Sequence, residues 1–355
     1  MKNIIIKVVA ITILIVVLFY LFYSPKLEFD VLKNPNYSHD KANQNYYDQQ
    51  AKKSTGNAKL KEGVGTYVYK NINEVIKNLG QPDRVYKVAH GKKEYVFKSK
   101  GNYYLVSTKN NKVASVFATG KSVNVSPIKI KQDATKFFNG TNIDMEPIVQ
   151  SSYGKYQIEL SERDIKTQLL IKYGNVYAQV LVDSETNEVM GVQFMDSDVV
   201  VEHAPFSMSK ISDNKDKKLK RADEQDFQTH MNKDLTLLEM VNQYREMKHV
   251  KPLDMNDQLT YITQMEADSI EDDIPEDEAV KTLEDGIMKH IDNQKLEYES
   301  INQNLAFNFY DVPTLVNSWL NKDTYREKLL GSQYDEFGAG NSREYYSLVF
   351  KENKE

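Results

Sequence analysis

Residues 4 to 23 are apolar or aromatic at every position except Lys7 and Thr12. About 20 such residues, rising ~1.5 Å each in a helix, match the ~30 Å hydrocarbon thickness of a bilayer. A helix with no polar face has no place on the surface of a soluble domain, so this segment is read as spanning a membrane. Tyr20, Phe22 and Tyr23 gather at one end, where amphipathic rings favour the interface, and Lys7 extends its ammonium toward the other. A cleaved signal peptide has a shorter apolar run of ~7–15 residues and then a small-x-small site. Here Phe22-Tyr23-Ser24-Pro25 follows instead. The expectation is an uncleaved signal anchor over residues 1–29. Lys2 and Lys7 precede the span while Lys26 and Lys33 follow it, so charge alone orients it only weakly.

Of the 355 residues, 27% are charged and the formal net charge is -5, which supplies no field to attract nucleic acid, and none is expected as a partner. The chain has no cysteine, which excludes thiol nucleophiles, zinc–thiolate centres and disulfides, so its domains must stand on burial. Residues 30–62, polar and without a period, read as a stalk. Residues 206–231, with the charged stretch Ser212 to Gln228 inside them, read as a linker. That leaves a middle region at 63–205 and a C-terminal domain at 232–355.

The middle region carries a weak internal repeat: Gly101-Asn102, Tyr104, Val113, Val116 and Phe117 answer to Gly174-Asn175, Tyr177, Val189, Val192 and Phe194, an offset of 174 minus 101, or 73. Each copy reads as strand, polar turn, strand, with Val, Tyr and Phe alternating, so two small strand-rich modules are expected. Before the first copy, Ile72, Val75, Ile76 and Leu79 have helical spacing, stopped by Gly80 and Pro82; the second copy lacks this pattern. Gly120-Lys121-Ser122 is not a phosphate loop, because the motif's earlier glycine is Ser115.

In the C-terminal domain, Leu237, Val241 and Tyr244 mark one helix, and Leu259, Ile262 and Met265 a second. Asp311 and Pro313 open a third that buries Leu315, Val316, Trp319 and Leu320. Phe337 to Ala339 and Tyr345 to Phe350 read as strands about a turn at Asn341 to Glu344. Leu238-Glu239-Met240-Val241-Asn242-Gln243-Tyr244-Arg245, then Lys251-Pro252-Leu253 and Asn256-Asp257-Gln258-Leu259, resemble the opening of the bacterial CAP (SCP-like) domain. Trp319, Arg326, Leu329-Leu330, Tyr334, Phe337-Gly338 and Tyr345-Tyr346 resemble its close, and the match covers residues 235–350. Leu79-Gly80, Pro82 and Arg84 look similar to the CAP-associated N-terminal region. The fold class implied is α+β: an N-terminal transmembrane helix, a strand-rich repeated middle region and a C-terminal α-β-α sandwich.

The resemblance also implies a cavity in which two histidines and two acids hold a divalent metal. In this chain the acid of the family's "GENIA" segment is Gln303, in Asn302-Gln303-Asn304-Leu305-Ala306, and the histidine of "GHR" is Tyr325. The other histidine is expected near Pro275 to Glu278, where none stands. With the tetrad erased, no metal, cofactor or catalytic residue is expected. Gln303, Asn304 and Tyr325 remain as candidate ligand-binding residues able to donate and accept hydrogen bonds. His290 is weighed as a displaced ligand against a surface histidine, and His230 and His249 are read as solvated. The acidic run Glu271 to Glu278 is weighed as a calcium site against charges favouring a helix N-terminus. A membrane-held, extracytoplasmic protein that binds an envelope polymer or a partner protein is the leading expectation, with an envelope-acting hydrolase or peptidase as the rival. Protease added outside intact cells is expected to digest the downstream domains and leave only the anchor; survival of the whole chain would reverse the orientation.

Overall fold

A computed structural model describes residues 32–34, 56–88, 91–214, 219, 227–270, 276–342 and 345–354. The expected anchor at 1–29 and residues 271–275 of the acidic run lie outside them. Among the described residues no helix is long and apolar enough to cross a membrane. Residues 31–355 form one compact unit.

The chain enters with a short strand β1 (Leu32–Lys33), and after a 3-10 turn at Val64–Tyr67 comes α1 (Ile72–Leu79). Asn71 caps this helix by accepting from the Asn73 N–H, and Gly80 ends it at φ 90°. Four strands follow, β2 (Arg84–Val88), β3 (Lys92–Ser99), β4 (Asn102–Lys109) and β5 (Lys112–Gly120), then α2 (Ala134–Asn139), β6 (Ile148–Ser151), β7 (Gly154–Glu159) and α3 (Glu162–Thr167). The region closes with β8 (Gln168–Tyr173), β9 (Val176–Asp183), β10 (Glu188–Met195), α4 (Ser197–His203) and β11 (Ser207–Asp213).

The two expected modules are one sheet. Its order is β2-β3-β4-β5-β10-β9-β8, so the hairpins β4–β5 and β9–β10 meet edge to edge, with Ala118 opposite Val192 and Val116 opposite Phe194. Each hairpin's inner strand would otherwise present an unpaired row of Val, Ala and Phe, and pairing removes that edge. The repeat runs deeper than its apolar pattern. Tyr69 (φ 73°) and Lys131 (φ 64°) take the same left-handed conformation ahead of α1 and α2. The Ile72 and Ala134 N–H groups donate to the Asn111 and Asn187 carbonyls, each at 2.9 Å, while Asn71 bridges Lys112 and Asp133 bridges Glu188. The second copy therefore has its helix, α2, without the Leu-Gly-x-Pro ending.

Parts of the expected linker and stalk are structured. Residues 207–213 form β11, the outer strand of a second sheet ordered β11-β7-β6, and residues 227–231 already belong to the next helix. β11 resembles a linker because an edge strand needs one apolar side only, and its Lys210 is exposed. At the front of the chain, Leu32 is buried and pairs in parallel with Ala306, and the Asn34 side chain donates to the Asn308 carbonyl. Asn57 forms a parallel bridge to Tyr173 and its amide donates to the Asn142 carbonyl at 2.7 Å.

The C-terminal part comprises α5 (Phe227–Met247), β12 (Asp254–Met255), α6 (Asp257–Asp268), α7 (Glu276–Asn293), β13 (Ser300–Phe307), α8 (Val312–Leu320), α9 (Asp323–Leu329), β14 (Glu336–Ser342) and β15 (Tyr345–Glu352). The sheet order is β1-β13-β15-β14-β12. On one face Val241 and Tyr244 of α5, Leu315 and Trp319 of α8 and Leu329 of α9 pack with Phe337, Leu348 and Phe350. On the other, Leu259 and Ile262 of α6 and Leu283, Ile287 and Ile291 of α7 pack with Leu305 and Val349. This is the expected three-layer sandwich. Asp311 caps α8 through the Thr314 N–H, with Pro in its first turn, as the sequence predicts.

α6 lies directly on β14 because Gly338 and Gly340 leave room: a Cβ on Gly340 would stand 2.5 Å from the Thr263 carbonyl oxygen and 2.6 Å from the Gln264 nitrogen. Both are backbone atoms, which rotamer changes cannot move. Gly340→Ala is expected to lift α6 and to cost about 1–3 kcal/mol in urea unfolding; an unchanged midpoint would mean that the contact is not tight.

Candidate functional site

Gln303 and Asn304 are neighbours on β13, and a strand sends successive side chains to opposite faces. The Gln303 side chain meets Glu284 of α7, whose carboxyl is pushed up by burial and eased back by its hydrogen bond to Gln303. Buried Oε1 of Gln303 and Oε2 of Glu284 accept no hydrogen bond. Asn304, fully buried, points the other way, and its Nδ2 donates to the Tyr325 carbonyl on α9 at 3.2 Å. Asn304 and Tyr325 are thus brought together, while the Gln303 amide is not. The three do not line one cavity, because the strand's alternation splits them across the sheet.

What joins the two sides is a cation. Lys328 Nζ donates to the Gln303 carbonyl at 2.8 Å and stands 5.8 Å from the centre of the Tyr325 ring, with Lys322 Nζ 5.2 Å from that ring. Sequence reasoning missed both lysines; their i, i+3 and i, i+6 spacing around Tyr325 was the available signal. The divalent metal that the resemblance implies does not fit here. The position of the acid is an amide, that of the histidine is a phenol 2% exposed, and an ammonium is bonded to the main-chain carbonyl of Gln303 beside that phenol. Among the described residues no group of three or more His, Asp or Glu is placed to hold a metal ion.

The other histidines are accounted for. His290 Nδ1 lies 2.6 Å from Glu266 Oε1, tying α7 to α6. His230 is buried, contrary to expectation, with Nδ1 against the Asn341 carbonyl, because α5 starts upstream and packs this turn on β14. His249 is exposed as expected and follows α5 with φ 60°.

Two of the motif arginines, Arg84 and Arg326, serve the contact between the middle and C-terminal parts, while Arg245 donates to the Lys251, Leu329 and Gly331 carbonyls within the C-terminal part. Arg84 holds Glu239 of α5 with both nitrogens, at 3.0 and 2.9 Å, and Tyr103 also donates to Glu239. Asp183, fully buried at the end of β9, accepts from Arg326 at 2.8 and 3.1 Å and pairs with Lys248 at 2.5 Å. Burial opposes its charge, but the Arg326 and Lys248 bonds outweigh burial and hold Asp183 at about 2.

The CAP-associated N-terminal family profile matches residues 69–206, and the profile of the cysteine-rich secretory protein family, CAP, matches residues 238–350. A crystal structure of a cysteine-rich secretory protein from Staphylococcus aureus is 38% identical, covers 93% of this chain and 100% of its own, and superposes with a TM-score of 0.77. The chain belongs to the CAP family. The uncharacterized membrane protein YlbC of Bacillus subtilis is 26% identical over 301 residues, covering 81% of this chain and 83% of its own. An extracellular SCP-domain protein from Bacillus anthracis, 19% identical, shares the fold with a TM-score of 0.70 over 87% of this chain and 99% of its own. This CAP protein therefore departs from its family's name in having no cysteine at all.

Asp183→Ala leaves two cations facing a buried void, and a loss of about 3–5 kcal/mol is expected in chemical unfolding. Because the folded carboxyl sits near about 2, below its ordinary 3.8, its contribution is complete above the unfolded value and is lost as pH falls from there through about 2. Acid-induced unfolding should shift accordingly, and the variant's profile should lack that step.

Proposed function

We propose that this CAP protein is a membrane-anchored, extracytoplasmic, non-catalytic binder of a cell-envelope component or partner protein, acting without a cofactor and without nucleic acid. The observation that carries the reading is the replacement of an acid and a histidine by Gln303 and Tyr325, with Lys328 bonded to the Gln303 main-chain carbonyl beside the Tyr325 ring. A general acid or base must titrate near the working pH, which an amide never does and a phenol does only far above neutrality. Lys322 and Lys328 beside the Tyr325 ring present positive charge, which suits an anionic polymer. The apolar segment at 4–23, the membrane protein among the relatives and the extracellular protein that shares the fold support placement at the outer membrane face. Confinement there raises effective concentration toward envelope partners, so modest affinity suffices.

One observation favours the hydrolase reading: Glu284 is raised by burial beside an amide oxygen that accepts nothing, as a general acid would be. The two readings separate in one assay, in which full-length protein in detergent is incubated with purified cell wall. Co-sedimentation without release of soluble fragments is expected, weakened about tenfold in Lys322→Glu/Lys328→Glu, the equivalent of ~1.4 kcal/mol. Fragment release abolished by Glu284→Gln would establish the hydrolase, and neither binding nor release would overturn both.

A further inference from the structure

Where β9 and β10 meet the start of α8, five side chains close into a ring. Gln179 Nε2 donates to Thr314 Oγ1 at 3.1 Å, and that hydroxyl donates to Asp311 Oδ1 at 2.9 Å. Asp311 Oδ2 faces His203 Nδ1 of α4 at 3.6 Å, and the same nitrogen meets Gln193 Nε2 at 3.4 Å. Gln193 stands directly opposite Gln179 across the β9–β10 ladder, on the same face of the sheet, which closes the ring. All of these side chains except His203 are more than nine-tenths buried. The direction of the bonds is fixed from outside the ring. The Pro205 carbonyl can only accept, so the Gln168 atom 2.9 Å from it is the amide nitrogen, which also reaches Asp164 Oδ1 at 3.0 Å. Gln168 therefore turns its Oε1 to Gln179, whose Nε2 donates to it at 2.8 Å. Both Gln179 amide protons are thus committed, one to Gln168 and one to Thr314, and the Thr314 proton goes to Asp311. Three buried oxygens are left, Gln179 Oε1, Gln193 Oε1 and Asp311 Oδ2, and among the described residues none of them accepts a hydrogen bond. An unmet buried acceptor is costly, and a bare carboxylate oxygen most of all.

We infer that this ring is a binding site for calcium, which takes Asp311 Oδ2, Gln179 Oε1 and Gln193 Oε1 as ligands and fastens β9 and β10 to the start of α8. A species with positive charge and no lone pair of its own answers all three oxygens at once. A water has two protons for three acceptors and adds lone pairs that need donors in turn. Among hard cations, calcium accepts neutral amide oxygens in irregular geometry and completes its shell with water, whereas magnesium demands a near-ideal octahedron. One carboxylate among amides is a weakly charged donor set, which places the affinity at about 10⁻⁴–10⁻³ M. The ring shares no residue with the candidate site on β13, α7 and α9, and the inference goes beyond the binding role proposed above. Histidines and acids alone do not disclose it, because two of its three ligands are amides.

Urea unfolding of the full chain in detergent, followed by the emission of Trp319, tests this, since the single tryptophan lies on α8 itself. The titration is run at about pH 8, above the value of about 6 to which burial raises Asp311 against its Thr314 bonds, so that the carboxylate is ionised. At about 10 mM calcium chloride the unfolding equilibrium constant should fall at least about tenfold relative to sodium chloride of equal ionic strength. Asp311→Asn keeps the oxygen that caps α8 and sets an amide nitrogen in place of Oδ2, so the variant folds without the ion, and its calcium gain should shrink below about twofold. Gln193→Met, which keeps the length of the side chain and removes one ligand, should lose most of the gain with the Asp311 carboxylate intact. No gain over sodium chloride in the parent chain, or the full gain surviving in either variant, would overturn the proposal.

Discussion

The joint between the two halves of this protein is built on one buried carboxylate answered by two cations. Asp183 lies at the end of a strand in the middle region, and Arg326 and Lys248 reach it from opposite ends of the C-terminal domain. A charge with no access to water is tolerated only with its partners in place, so the pairing specifies one arrangement of the halves and disfavours others. Arg84 with Glu239 repeats the device at a second point along α5. Residues that look like family signatures therefore serve to make one body of two domains.

How far the sequence spoke depended on whether a signal was local. Helices whose apolar faces recur every three or four residues, such as those at Val75 and Leu79 or at Leu315 and Trp319, were legible together with their caps, because cap and stripe lie within a few residues of each other. The sandwich followed from resemblance and element order. What escaped was nonlocal. Nothing near Ser207 to Asp213 announces a strand, since an edge strand borrows its hydrogen bonds from β7 and needs few apolar side chains. His230 looked solvated because its burial comes from β14, more than a hundred residues away.

The candidate site shows the same limit. Reading Gln303 and Asn304 as partners ignored the alternation of a strand, which sends them to different helical layers. Lys328 carried no motif, yet its ammonium holds the Gln303 carbonyl beside the Tyr325 ring. Where the resemblance places an acid and a histidine, this chain carries an amide and a phenol, with a lysine ammonium held to the main chain beside them.

The meeting of β5 with β10 has a consequence for ancestry. The two hairpins pair antiparallel through β5 and β10, as a half-turn centred on the Phe117–Gln193 pair would relate them, with the helix-entry geometry of Asn71 and Asp133 repeated on either side. A half-turn is the operation that relates identical subunits in a twofold dimer. A single ancestral copy would have been left with a bare border strand whose natural complement was another molecule of itself; tandem fusion would then have internalised a dimer. The two copies differ in what accompanies their helices: the first carries the Arg84 clasp, and the second the excursion that holds β6, β7 and α3.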